Sequence, residues 1–212
     1  MRSIAKLMKD WQFTGPNGVP TAVELPHTWN AKDGQDGGND YWRGCCTYCT
    51  CFAAPVYDPA QQQVWLQFEG VNASAAVLLN GQQLCTHDGG YSTFRAEVTE
   101  LLQAENQLTV RVDNSVNDRV YPQKADFTFY GGIYRDVSLL VVSKNHIALD
   151  YLGSCGVQIT PTVNGANADI TVKTRVEGEG EIEFSILEAA GAEVLTGKGS
   201  DAAVTRAHPH LW

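Results

Sequence analysis

Four of the six cysteines in this 212-residue chain fall within seven positions, in CCTYCTC, at Cys45, Cys46, Cys49 and Cys51. Thiols this close together are candidates for a zinc site or a disulfide. Their neighbours Thr47, Tyr48, Thr50 and Phe52 are strand formers, and a strand is a poor scaffold for a metal. Its alternate side chains stand about 6.7 Å apart and adjacent ones face opposite ways, whereas tetrahedral zinc gathers four sulfurs to within about 4 Å of one another. The thiols are therefore expected to be small buried hydrophobes in a reducing compartment, with no metal and no disulfide. Cys85 and Cys155 read as isolated strand positions. Nothing in the sequence calls for a cofactor.

A second group of chemically capable residues surrounds YGGIYRDVSLLVV, residues 130–142. Val137, Leu139 and Val141 alternate with Asp136, Ser138 and Leu140, the period of a strand with one face in a core. Before it, Gly131 and Gly132 allow positive φ or a close backbone approach. Further upstream, DNSVNDRVYPQ forms a long polar loop carrying Asn114 and Asn117, and ADFTFY contributes Asp126.

The elements that must position these groups are short strands. VWLQFEGV, AAVLLNG and LTVRVDN alternate apolar and polar residues, and Asn80-Gly81, Asp88-Gly89-Gly90 and Asp113-Asn114 supply turns between them. The pattern predicts an all-β sandwich or barrel. VTELLQAEN is the one helical hint in this half, one or two turns with Thr99 as its N-cap. Past residue 145 aromatics thin out, and ADITVKTRVEG, EIEFSILEA and AEVLTGKG follow as evenly spaced strands of a smaller, immunoglobulin-like sandwich. The expected division is 1–145 and 146–212.

Composition narrows the partners. The net charge of −9, with 24 acidic against 15 basic residues and no Lys/Arg block, disfavours nucleic acid and anionic membranes. No stretch approaches the roughly 18 apolar residues of a membrane span. The start, MRSIAKLMKDW, lacks the apolar region of a secretory signal; the expected location is cytoplasmic.

Several stretches, taken in order, resemble one family. LPHTW (25–29), FEGVNASAAVLLNGQQL (68–84), HDGGYSTFRAEVT (87–99), LTVRVDN (108–114) and DFTFYGGIYRDVSL (126–139) are similar to the N-terminal domain of glycoside hydrolase family 2, which includes β-galactosidases, β-glucuronidases and β-mannosidases. The resemblance implies a jelly-roll, galactose-binding-like sandwich followed by an immunoglobulin-like sandwich. The latter reads as incomplete after HPHLW (208–212). In the family a (β/α)₈ barrel of roughly 250 residues or more follows, carrying the catalytic pair of glutamates. Retaining glycosidases hold two carboxyl groups about 5 to 5.5 Å apart in a sugar-shaped cleft. Two sandwiches of 212 residues leave no room for that barrel, so no catalytic residue is assigned here and the chain alone is expected to show no turnover.

The resemblance also implies residue roles. Asp126 matches an aspartate that reaches from this domain into the sugar site of the barrel. An ionised carboxylate there accepts hydrogen bonds from neighbouring sugar hydroxyls. Arg135, at the family's Arg-Asp step, is expected to brace that loop through backbone carbonyls or a carboxylate rather than to touch sugar. Asn114 is a further candidate sugar contact, Tyr91 and Phe94 are expected in the core, and His27 to make a structural hydrogen bond. Trp42 either stacks on a sugar or, with greater weight, anchors its loop. The leading expectation is the non-catalytic front of an enzyme that cleaves β-linked glycosides, β-galactosides foremost, with its own barrel as partner and homo-oligomer contacts. The alternatives are a free-standing carbohydrate-binding module and a structural or assembly domain.

Overall fold

The computed structural model describes residues 2–31, 41–121, 128–151 and 154–210. The chain divides into two compact units, Met1–Ser143 and Lys144–Trp212.

Among the described residues the first unit contains β1 (Ser3–Lys6), β2 (Trp11–Thr14), β3 (Pro20–Val23), β4 (Cys45–Ala53), β5 (Gln62–Phe68), β6 (Val71–Asn72), β7 (Ser74–Leu79), β8 (Gln82–Asp88), β9 (Phe94–Glu97), β10 (Glu105–Asp113), β11 (Gly132–Ile133) and β12 (Val137–Ser143). A six-stranded sheet, in the order β3-β2-β4-β10-β7-β8, faces a four-stranded sheet, β1-β12-β5-β9, and β11 pairs with β6. All pairings are antiparallel.

Alternation decides which face is buried. Leu108, Val110 and Val112 of β10 point inward beside Tyr48 of β4 and Val77 of β7, and meet Val64, Leu66 and Phe68 of β5 in one apolar cluster. At roughly 1.5–3 kcal/mol per fully buried large apolar side chain, this cluster dominates the stability of the unit. Asn80 (φ 52°) and Gly81 (φ 82°) supply the two consecutive positive-φ residues of a tight turn between β7 and β8.

Local sequence pattern is overruled in four places. The helical hint is a single 3₁₀ turn, Thr99–Leu101, preceded by Val98, which makes no side-chain cap. Thr99 lies inside the turn, and its hydroxyl accepts from the Val64 amide (2.9 Å) and donates to Glu97 Oε1 (2.8 Å), a tie between strands that a cap could not make. Strand β12 is buried on both faces, Leu140 and Val142 included, so the alternation of a strand with one face in solvent does not hold there. Among the cysteines of β4 only Cys46 is buried; Cys45, Cys49 and Cys51 lie on the opposite, outward face, where the odd-numbered residues must go. Burial pushes the Cys46 thiol up to about 12. Cys155 stands outside any strand, exposed, two residues before the next one begins.

The second unit comprises β13 (His146–Ile147), β14 (Val157–Asn164), β15 (Asn167–Thr174), β16 (Val176–Glu177), β17 (Glu183–Leu187), β18 (Glu193–Lys198) and β19 (Asp201–Ala207). They form a β14-β15-β19 sheet, a β17-β18 hairpin and a β13-β16 pair. A two-residue turn at Gly165-Ala166, with Gly165 at φ 62°, joins β14 to β15. Ala168 and Val172 of β15 are buried, but β14 leaves Ile159 and Val163 more than half exposed. Of HPHLW, Leu211 and Trp212 lie outside the described residues.

Candidate functional site

The loops at one end of the first sandwich are knitted together by the polar side chains of Thr28, Asn30, Arg43 and Asn114. Asn30 and Asn114 are fully buried. A buried carboxamide is tolerated only when its donors and acceptors are met, and here they are. Asn114 Nδ2 donates to Asn30 Oδ1 (3.1 Å) and to the Phe129 carbonyl (3.0 Å), and its Oδ1 accepts from the Gly44 amide (2.8 Å). Asn30 Oδ1 also accepts from the Gly131 amide (2.7 Å), while its Nδ2 donates to the Trp42 carbonyl (2.8 Å). The Thr28 hydroxyl donates to the Gly131 carbonyl (2.8 Å). Arg43 Nε donates to the Asn114 carbonyl (2.7 Å), and its guanidinium lies over the Phe129 ring at 5.1 Å.

Gly131 and Gly132 are required where this network closes. A Cβ on Gly131 would run into the Trp29 indole and Asn114 Nδ2, and one on Gly132, at φ 137°, would strike the His27 carbonyl oxygen. Their role is close approach, which seats residues 129–133 against residues 27–30. Asp126 lies outside the described residues, three positions before the Phe129 carbonyl that Asn114 holds.

The other expected site residues divide as follows. Arg135 is exposed, with Nη1 within 3.5 Å of the Glu69 carbonyl and 3.4 Å of the Tyr91 carbonyl. Asp136 accepts from Lys6 Nζ at 2.6 Å. His27 Nδ1 and the Tyr48 hydroxyl share a 2.7 Å hydrogen bond, and burial lowers the pKa of the histidine. Trp42 packs edge-on against Trp29, centroids 6.0 Å apart. Asn114 is not the loop-surface contact expected from its polar surroundings: both Nδ2 hydrogens are already committed to the chain, which leaves it a positioning role. Asn117 caps its own loop, Oδ1 accepting from the Arg119 and Val120 amides.

Tyr91 is the clearest departure. Phe94 is buried, stacked on Phe68 (4.9 Å) and His87 (4.2 Å), whereas Tyr91 is 58% exposed. Gly89 turns at φ 115° and Gly90 presses on the Asn72 side chain, so the chain reverses before Tyr91 and carries it outward. There, with Tyr130, Tyr134, Thr28, Thr128 and Asn72, it lines a cavity of about 320 Å³. Asn72 and Tyr130 are contributors that alternation does not single out. Asn72 lies in GVNAS, buried, with Nδ2 donating to the Tyr130 carbonyl at 2.7 Å. Among the described residues no three His, Cys, Asp or Glu side chains gather as metal ligands.

A family model described as glycosyl hydrolase 2 galactose-binding domain-like matches residues 36–147. The chain belongs to glycoside hydrolase family 2. It is 33% identical over 199 residues to a β-glucuronidase of Bacteroides fragilis, covering 89% of this chain and 28% of that protein. Over 123 residues it is 30% identical to a β-galactosidase of Thermoanaerobacter pseudethanolicus, covering 56% of this chain and 16% of that one. Its fold matches the crystal structure of an FMN-binding β-glucuronidase from Facaelibacterium prausnitzii L2-6 with a TM-score of 0.91 and 35% identity, over 100% of this chain and 35% of the other. This family 2 chain therefore spans about a third or less of the length of these relatives.

Proposed function

We propose that this chain is the non-catalytic front part of a β-glycosidase, and that its loop end, with Asp126, completes the sugar site of a barrel elsewhere in the whole protein. The observation that carries the reading is full-length similarity, 35% identical at a TM-score of 0.91, to about a third of a β-glucuronidase. The Asn30–Asn114 network supports it, since a residue serving a neighbouring pocket needs rigid loop stems and 129–131 are tied down on both sides. β-Glucuronides are the first substrate class, because the relatives matched over most of this chain carry that name. β-Galactosides are the second, favoured by the Thermoanaerobacter relative.

The test is Asp126→Asn in two settings. In the whole protein, losing charged hydrogen bonds to sugar hydroxyls, worth roughly 1.5–3 kcal/mol each, should lower kcat/KM on the preferred nitrophenyl β-glycoside by about 10- to 150-fold. In the 212-residue chain the melting temperature should barely move, by the equivalent of no more than about 0.5 kcal/mol, because on this reading Asp126 serves the neighbouring barrel and not this fold. Loss of fold in the chain with unchanged kinetics in the whole protein would make Asp126 a structural brace.

A further inference from the structure

Three Asn-Gly steps occur in the chain, Asn17-Gly18, Asn80-Gly81 and Asn164-Gly165. Such a step is chemically self-reactive, because glycine has no side chain to bar the approach of its nitrogen to the asparagine carboxamide. The fold treats the three differently. Asn80 is held at both ends of its carboxamide: Nδ2 donates to the Leu101 carbonyl (3.1 Å) and to Asn106 Oδ1 (3.0 Å), and Oδ1 accepts from the Gln107 amide (2.9 Å). At the first step the side chain is engaged, Asn17 Oδ1 accepting from the Val19 amide (3.1 Å). The nucleophile there is engaged as well, the Gly18 amide donating to the Gly15 carbonyl (3.0 Å).

Asn164-Gly165 differs on each count. It lies at the tip of the β14-β15 hairpin, where Asn164 pairs with Asn167 and Gly165 takes φ 62°, and both residues of the step are exposed. In a two-residue turn the first central amide points out of the ladder. Among the described residues the Gly165 nitrogen donates to no acceptor, and the Asn164 carboxamide has one tie, Nδ2 to Asp169 Oδ2 at 2.7 Å. Hydrogen bonds from Thr205 and Asn164 hold the pKa of Asp169 below the ordinary carboxylate value, so that acceptor is ionised. A hairpin tip on a sparsely buried sheet opens at little cost, which frees the backbone at 164 to bring the two reacting groups together.

We propose that Asn164-Gly165 is a site of spontaneous covalent modification, at which the chain converts its own asparagine to aspartate and isoaspartate and so loosens the second unit. The Gly165 nitrogen attacks Asn164 Cγ. The new C–N bond closes a succinimide ring as the Cγ–Nδ2 bond breaks, and the amide proton leaves with Nδ2 as ammonia. Water then adds to either imide carbonyl and opens the ring, giving aspartate or isoaspartate. One water is consumed and one ammonia released, with no oxidant, reductant or cofactor. Either product replaces the donor facing Asp169 by a second carboxylate, so an attraction becomes a like-charge contact. Isoaspartate also lengthens the backbone by one methylene at the residue that closes the hairpin, so its pairing with Asn167 is lost. Among the described residues β14 pairs with β15 alone, which makes that ladder its whole hold on the sheet. This chemistry is independent of any action on glycosides.

The experiment is incubation of the 212-residue chain in mildly alkaline buffer, followed by peptide mapping with fragmentation spectra that tell aspartate from isoaspartate. In the folded chain Asn164 should convert at least about tenfold faster than Asn17 or Asn80, and in urea the three rates should converge to within about twofold, since only the fold sets them apart. As Asn164 converts, amide exchange should quicken in β14 and β15 and stay unchanged in β5 and β10. Asn164→Gln, whose longer side chain would have to close a larger ring, should remove the reaction at 164 and keep exchange in β14 constant over the same incubation. The proposal is overturned if Asn164 converts no faster than the other two in the folded chain, or if its lead persists in urea. Conversion that leaves exchange in β14 as it was, or equal quickening in the Asn164→Gln chain, would overturn it as well.

Discussion

In the first unit β12 buries every residue from Val137 to Val142, while in the second β14 leaves Ile159 and Val163 in solvent. The first is an inner strand with β1 and β5 on its two sides, and the second pairs with β15 alone among the described residues. In-plane neighbours do not by themselves bury a face: β10 is also an inner strand, yet its outward residues Gln107 and Arg111 stay exposed, so what covers each face sets how much apolar surface leaves water. The first unit thus has a closed cluster from Trp11 to Val141, and the second relies on a few buried positions such as Ala168 and Val172.

Core truncation should separate the two units most strongly. Leu66→Ala empties a fully buried site and should cost about 2–5 kcal/mol, whereas Ile170→Ala, on a partly exposed strand, should cost at least about 1 kcal/mol less. Tryptophan fluorescence during urea unfolding reports chiefly on the first unit, which holds Trp11, Trp29, Trp42 and Trp65; equal losses from the two substitutions would erase the distinction.

The buried amide network comes next. Asn114→Ala strips the Gly44 amide and the Phe129 carbonyl of their partners, so about 2–4 kcal/mol should be lost from the first unit. On the proposed β-glycosidase reading, kcat/KM of the whole protein should fall further than for Leu66→Ala at matched stability, since the loop stems loosen. A smaller contrast concerns amide exchange: β14 and β19 should exchange at least about tenfold faster than β5 and β10, reflecting sparser burial. Slower exchange in the second unit would contradict the comparison.

The smallest effect is a pH dependence confined to the first unit. Burial lowers the folded-state pKa of His27 below its ordinary value near 6.5. The unfolded chain then binds the proton more readily, so stability is intact above about pH 6.5 and falls as pH drops through that value toward the lower folded pKa. Melting temperature between pH 7.5 and 5.5 should decline by an amount equivalent to less than about 1 kcal/mol, and His27→Gln should flatten the slope. A melting temperature that rises on acidification would reverse the sign.

How far these features could be read from sequence depends on how far apart the interacting residues lie. LTVRVDN and VWLQFEGV show their buried faces within a few residues, because a strand repeats every two positions. The Asn30–Asn114 bond spans 84 positions and the Asn30–Gly131 bond 101, and no local pattern marks a loop asparagine that will be buried. Tyr91 fails for a different reason: as an aromatic beside Phe94 it is expected in the core, but the chain turns at Gly89-Gly90 and carries it to the surface. Thr99 had the chemistry of a cap but was recruited by Val64 instead.

Strand β14 contains Pro161, opposite Ile170. In a two-residue hairpin the closing pair, Asn164 and Asn167, exchanges ladder bonds, and alternation then makes 161 a position whose amide side faces away from β15. The proline ring sits where that outward donor would be, midway along an eight-residue margin. An approaching chain attempting to zip onto this margin would meet a gap at its centre and find only two short footholds, each too brief to hold alone. Among the described residues this open margin of β14 therefore lacks a donor near its middle, which disfavours edge-to-edge pairing along it.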